Sequence, residues 1–432
     1  MQLLTYAEAA EQVHRFIQAM ADGVLPGETG PRATDTQAAF EGVASRAKMV
    51  SLAEASGRVL AEPLHADRDQ PPFPRATRDG FACRAAEAST NQLLFLAGHL
   101  GAGDDPAAIG LGKLGAGEVW EIMTGAPVPD GADAVFMVEH SEHASNFVRL
   151  AAPRTLQPGE NIVPRGSEAR AGDLLIPLGV RLGPAQIALA AQCGYASLRV
   201  AVRPRVAILA TGDELVSVEE TPRPSQIRNS NAPMLAALVA AAGGEPLILP
   251  AVPDQDGPLD AAIQQALAAD LLLVSGGISA GRFDLVEGAL TRAGARFFFG
   301  GVAIQPGKPI VFGQLPRQGR SPLPFFALPG NPISSAVTFH LFAAPLLAAL
   351  AEDSTPSPCF ALAELTTEWR GKPGLTRFLP AWCDFALEPE VRLIPWQGSG
   401  DIAAFARSNC FLVVPAEAQE IASGSIVQIL LI

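Results

Sequence analysis

The chain has 432 residues, 48% of them apolar, and a formal net charge of −13. That length exceeds one ordinary domain and points to about three or four units. The acidic balance excludes an extended nucleic-acid surface, which needs a basic footprint, and argues against binding to anionic lipid.

The N-terminal stretch MQLLTYAEAAEQVHRF carries early acidic residues and no apolar h-region, so it is not read as a signal peptide. No uncharged apolar run is read as reaching membrane-spanning length. Thr5-x-x-Glu8 is a capping box opening an amphipathic helix that ends near Met20. Ser51-x-x-Glu54 starts a second, short helix, and LPGETGPRATDT between them is a breaker-rich loop. From about Arg68 to Pro164, short apolar runs alternate with Gly/Pro/Asp clusters, a β-rich texture. LGPAQIALAAQCG is a helix with Pro184 near its first turn and Gly194 past its end. Helical pieces on both sides of a β-rich middle suggest an inserted domain. From Arg203 buried runs alternate with helices: VAILA, NAPMLAALVAAAGG, PLILPAV, DGPLDAAIQQALAA, DLLLVSGG, DLVEGALTRAG. This is the pattern of a doubly wound parallel sheet. From about Glu352 the texture is short and β-like to the end. The five cysteines are scattered, odd in number and without CxxC spacing, so they read as reduced, packed thiols of a cytoplasmic protein.

In open α/β sheets, ligands bind beyond the carboxyl ends of the strands, and the unusual residues fall there. Thr211-Gly212-Asp213-Glu214 follows VAILA, and Ser275-Gly276-Gly277-Ile278-Ser279-Ala280-Gly281, then Asp284, follows LLLV. Further on come Gln305-Pro306-Gly307-Lys308-Pro309 and, after FFA, Leu328-Pro329-Gly330-Asn331-Pro332. Asn331 suits an N-cap, Pro332 a first helical position, and Gly330 lets backbone approach a ligand. A helix start suits an anion such as phosphate. Alone, that stretch is an efficient strand-to-helix turn; beside SGGISAG it reads as functional. Lys308, between Pro-Gly and Pro, suits an anion as a point charge, and equally suits solvent. Glu214 and Asp284 are carboxylates that a hard cation such as magnesium could bridge to phosphate; Asp213 reads as a helix cap or dipole partner. His340 reads as a packed histidine on an apolar helix that Pro345 kinks, and His140 and His143 in EHSEH as part of a solvated hairpin.

On these motifs the chain resembles the molybdenum insertases, bacterial MoeA and the E-domain of gephyrin-like proteins. ATGDEL, SQIRNSN, VSGGISAG…D, PGKP and LPGNPISS occur in the family's order and spacing. PPF…RDGFA (71–82), IMTGAPVPDGADAVFMVE (122–139), GENIVPRGSEARAGD (159–173), GKPGLTRFLP and QGSGDIAAFARSN extend the match over nearly the whole chain. The resemblance implies a multidomain α/β and β protein. Its expected domains are an elongated N-terminal helical domain (1–67 with 163–202), an inserted β-rich domain (68–162), a MogA-like molybdopterin-binding domain (203–350) and a C-terminal β-barrel-like domain (351–432). It implies a homodimer with a composite active site that takes adenylylated molybdopterin and molybdate and, with Mg2+, releases AMP and molybdenum cofactor. Contacts with the adenylyltransferase and with recipient molybdoenzymes are also implied. Carried over by motif position, Asp79, Thr124, Glu214, Asp284 and Lys308 are the catalytic residues, with Glu214 and Asp284 on the metal. Gly212, Ser275, Gly276, Gly277, Ser279, Gly307, Pro329, Gly330, Asn331 and Ser334 hold the substrate.

The chain departs from the family at Arg75-Ala76-Thr77-Arg78, at Gln305, where the family has Lys or Arg, and at Glu168, where it has Asp. Arg75 or Arg78 is expected to restore the positive field lost at Gln305. The competing readings are a non-catalytic pterin-binding paralogue and a molybdopterin adenylyltransferase; the full four-domain pattern speaks against the latter.

Overall fold

The computed structural model describes residues 3–22, 46–277, 285–355 and 357–432. The expected loop LPGETGPRATDT lies outside them. The chain packs as two compact units, Met1–Ala61 with Gly179–Gly183 and Ser197–Ile432, and Glu62–Leu178 with Pro184–Ala196.

At the centre of the first unit is a six-stranded sheet of β1 (Arg205–Ala210), β2 (Glu245–Ile248), β3 (Leu271–Ser275), β4 (Arg296–Gly300), β5 (Val311–Leu315) and β6 (Leu323–Leu328), in the order β2-β1-β3-β6-β5-β4. β2, β1, β3 and β6 are parallel, while β5 runs against both β6 and β4. The reversal has a local cause: PRQGRSP (316–322) between β5 and β6 is too short for a crossover and makes a hairpin. Alternate residues enter two cores. Val206, Ile208, Leu271, Leu273 and Phe326 join one, and Ala207, Leu209, Leu272, Val274 and Phe325 the other. Both faces are therefore dry, which is why these strands are unbroken apolar runs. Helices α2 (Asn231–Ala241) and α5 (Pro332–Thr338) cover one face, and α3 (Asp256–Ala266) and α4 (Leu285–Arg292) the other.

The N-terminal helix Tyr6–Ala21 has its capping box: Thr5 N donates to Glu8 Oε2 at 2.8 Å, and Glu8 N to Thr5 Oγ1 at 3.3 Å. Its Phe16 ring packs edge-on against Phe312 with centroids 5.2 Å apart. One expectation is corrected. Pro332–Leu350 is 19 residues long and apolar enough to cross a membrane, but 78% of it is buried within the unit. It is a core helix, and its apolarity follows from that burial.

This helix is interrupted by a π turn at Phe339–Ala343, ahead of Pro345. His340 lies in the turn, its Nε2 buried without a partner, and burial pushes its imidazole down to about 4. The unfolded chain binds that proton near 6.5 and the folded chain only near 4. Stability is therefore full above about pH 6.5 and is lost as pH falls through that window, by about 3 kcal/mol at the low end. Urea midpoints at pH 7 and pH 4.5 should converge in His340→Leu relative to the unsubstituted protein. Elsewhere in the unit, Arg181 donates to Asp353 Oδ2 through Nε (2.9 Å) and Nη2 (2.5 Å), and the Asp353 side chain is only 2% exposed. Arg181→Ala strands that carboxylate and should cost about 3 kcal/mol by chemical denaturation.

The last part of the chain forms a closed barrel. Strands Thr376–Asp384, Glu390–Leu393, Phe360–Leu365, Ile426–Leu431 and Cys410–Val414 pair in that order, and the last pairs back with the first. Ile304–Gln305 adds an edge strand to it, placing Gln305 opposite Arg377. The second unit holds its own six-stranded sheet, with strand Gly80–Cys83 between Glu118–Ile122 and Ala134–Met137. Helix Pro184–Gln192 packs in this unit. All five cysteines are free; Cys359 is exposed and the others are buried, so the packed-thiol expectation fails for Cys359. His140 and His143 lie on an exposed turn and hairpin, where Glu142 pairs with Arg149 at 2.5 Å.

Candidate functional site

Strand register builds the site. Ala210 lies opposite Ser275, and Ser275 opposite Leu328, so β1, β3 and β6 end at one level. The loops that follow open side by side onto a cleft of about 680 Å³. Of the residues singled out in the sequence, Gly212, Glu214, Ser275, Gly276, Gly277, Pro329, Gly330 and Asn331 all line it. Gly276 has φ +99°, and a Cβ there would sit 2.4 Å from the Thr211 carbonyl oxygen. Only glycine allows this close turn.

Asn231 ties two of the loops together. Its Nδ2 donates to Ser275 Oγ at 2.7 Å and to the Gly330 carbonyl at 2.6 Å. Because Ser275 Oγ accepts there, its own proton is left for another acceptor. The expected cap at Asn331 is corrected in part. Its backbone holds the N-cap position with Pro332 next, but its side chain makes no capping bond. Nδ2 donates instead to Ser399 Oγ at 2.8 Å, in the loop that brings Gly400 and Ile402 to the cleft.

Among the described residues, two carboxylates line the cleft, Glu214 and Asp254. Thr211 Oγ1 donates to Asp254 Oδ1 at 2.5 Å, and Asp254 N to Asp213 Oδ1 at 3.1 Å. Asp213 thus braces a loop; no helix follows it, so the expected helix cap is corrected, and Asp254 was missed. Its only signal was an Asp in AVPDQD, beyond β2, one more strand end on the same rim. Ser279 and Asp284 lie outside the described residues. Ser334 is 4% exposed within α5 and does not line the cleft. Gly307 is buried, and a Cβ there would lie 2.7 Å from Thr338 Cγ2, so close helix packing explains it. Lys308 is exposed, next to Pro309 at the cleft edge. Among the described residues, no group of three or more His, Cys, Asp or Glu side chains gathers as a ready-made metal cage.

The second unit brings Asp79 and Thr124 together. Thr124 donates to Asp79 Oδ1 through its backbone N (2.6 Å) and its hydroxyl (2.8 Å). These two bonds, the backbone one foremost, hold the exposed Asp79 carboxyl below its ordinary range. Arg75 Nη2 lies 2.7 Å from Glu168 Oε1, which pairs two of the unusual residues and leaves Arg75 Nε buried without a partner. Arg78 is exposed beside Asp79.

The aligned strand ends, glycine turns and carboxylates of the first unit define a doubly wound α/β protein with an open cleft beyond the carboxyl ends of its parallel strands, where such sheets bind ligands. Three family models cover most of the chain: the MoeA N-terminal region (domain I and II) at residues 6–194, a probable molybdopterin binding domain at 207–349, and the MoeA C-terminal region (domain IV) at 363–432. The chain belongs to the MoeA family. A Bacillus subtilis protein named molybdopterin molybdenumtransferase is 36% identical over 395 residues, 89% of each chain. A Synechocystis protein of the same name is 33% identical, over 85% of this chain and 90% of its own. The crystal structure of the molybdopterin biosynthesis MoeA protein from Pyrococcus horikoshii OT3 superposes with a TM-score of 0.77 at 26% identity, over 100% of both chains.

Proposed function

We propose that this protein is a molybdenum insertase. It binds adenylylated molybdopterin and molybdate, hydrolyses the phosphoanhydride, and releases AMP and molybdenum cofactor. The observation that carries this reading is the common level of β1, β3 and β6, which sets three small-residue loops around one cleft in a member of a family whose relatives bear that activity's name. Backbone N–H groups of Gly277, Gly330 and Asn331, with the Ser275 hydroxyl, would hold phosphate oxygens. Glu214 and Asp254, with Asp284, offer the oxygen donors a hard divalent cation such as Mg2+ requires. Bound there, the cation would neutralise charge that shifts onto the departing AMP. Water adds to phosphorus, the anhydride P–O bond breaks, and AMP leaves carrying the bridging oxygen. In a homodimer, Asp79 and Thr124 of a second copy would complete the site, with the Asp79 carboxylate ionised at neutral pH. Free thiols and the acidic surface support a cytoplasmic location.

The charge lost at Gln305 falls to Arg78, not Arg75, because Glu168 already neutralises Arg75. Arg78→Met should raise the molybdate concentration required by about tenfold, the value of one charge-assisted hydrogen bond, while Arg75→Met leaves it within about threefold. An Arg78→Met enzyme with unchanged rate and molybdate dependence would refute compensation by Arg78. The overall reading is tested by incubating the protein with adenylylated molybdopterin, Mg2+ and molybdate. AMP release with active cofactor supports it. Binding without release favours the non-catalytic paralogue that the changes at 75–78 and 305 bring into play.

A further inference from the structure

The opposite edge of the sheet, where β1, β3 and β6 begin, concentrates guanidinium groups that the proposed reaction does not use. Arg46 Nη1 lies 3.0 Å from Asp270 Oδ1, and Arg320 Nη2 3.8 Å from the same oxygen. The second separation is too long for a hydrogen bond, and Asp270 Oδ2 already accepts from Arg205 N at 2.9 Å. Arg317 spends its donors on the carbonyls of Ser321, Ala269, Leu267 and Pro322. Burial, with Arg320 and Arg46 nearby, pushes it down to about 10. Arg203 lines the same inner recess as Arg46, Arg317 and Asp270, where, among the described residues, the one other carboxylate, Glu352, is pushed up by burial. Among the described residues, four guanidiniums here face two carboxylates, Asp270 and Glu352, in a chain of net charge −13. The local field is opposite in sign to the total.

On the outer side of Arg317 a recess of about 590 Å³ is lined by Gln264, Gln318, Arg317 and Arg320, with apolar atoms of Leu267, Ala293 and Pro316, and, among the described residues, by no carboxylate. We propose that this recess is a second anion site, separate from the cleft, that holds the phosphate group of a small phosphorylated molecule. Arg320 supplies the planar donor fork, Gln264 and Gln318 supply amide N–H groups, and Arg317 supplies fixed positive charge behind them.

Hydrogen exchange of the full-length protein tests this, with inorganic phosphate and AMP as separate ligands and chloride holding ionic strength constant. Amides of 264–267 and 317–321 should gain protection, by phosphate alone if the bare ion suffices, by AMP alone if the nucleotide is needed. Arg320→Gln should raise the ligand concentration for half-protection about tenfold, with Arg320→Lys in between. Arg320 lies on an exposed hairpin connection, so an unchanged thermal midpoint will confirm that the variants fold. Absence of protection there with either ligand, or protection undiminished in Arg320→Gln, overturns the proposal. Neither result bears on AMP release at the cleft.

Discussion

Asp254→Asn should lower the rate of molybdate-dependent AMP release by about a hundredfold, equivalent to about 2.7 kcal/mol of transition-state stabilisation. The substitution isolates charge from architecture. Thr211 Oγ1 donates to Asp254 Oδ1, and an asparagine oxygen can accept that bond equally well. The loop therefore persists while one negative charge leaves the cleft that Glu214 shares. If the two carboxylates hold a divalent cation, raised Mg2+ should recover part of the loss, and Glu214→Gln should behave alike. Asp213→Asn is the control. Its carboxylate accepts from Asp254 N and does not line the cleft, so its rate should stay within about threefold of the unsubstituted protein. Equal losses at 213 and 254 would show that loop bracing, not charge, explains the defect.

Gly276→Ala should cost about 3 kcal/mol or more of stability. Its φ of +99° already strains any L side chain, and its Cβ would meet the Thr211 carbonyl oxygen at 2.4 Å, far inside contact distance. That carbonyl belongs to the neighbouring strand-end loop, so relief must move one loop against the other. The cleft distorts together with the fold. Gly57→Ala separates strain from collision: φ there is +72°, but nothing lies within 4 Å of the added carbon. It should cost about 1 kcal/mol. Urea unfolding of both variants measures the difference, and similar midpoints would remove the collision from the account.

Much of the fold was legible because local patterns report local physics. VAILA, DLLLV and FFAL are continuous apolar runs because both faces of those strands are buried, and Gly276 after DLLLV marks a turn that a Cβ would block. The Thr5 and Ser51 capping boxes were readable for the same reason, since donor and acceptor are three residues apart. The reversed strand β5 was not, because its direction is set by the brevity of its connection to β6. Pro332–Leu350 shows how a local signal misleads: membrane and core impose the same apolarity on a helix, and only its neighbours tell them apart.

The candidate site divides along the same line. By itself, the sequence determined which residue types could meet a phosphate-bearing ligand, and its motifs were specific enough to carry the family. The tertiary structure decided which of them face the cleft. Gly276 and Asn331 do, whereas Gly307 and Ser334, of the same small or polar kind, pack against or within the helix that follows. It alone brought Asp254 to the cleft, because β2 pairs beside β1, and it turned Asn231 into a link between two loops. Periodicity encodes whether a side chain is inside or outside its own element. Strand order and register, fixed by contacts between residues far apart in the chain, choose which elements it meets.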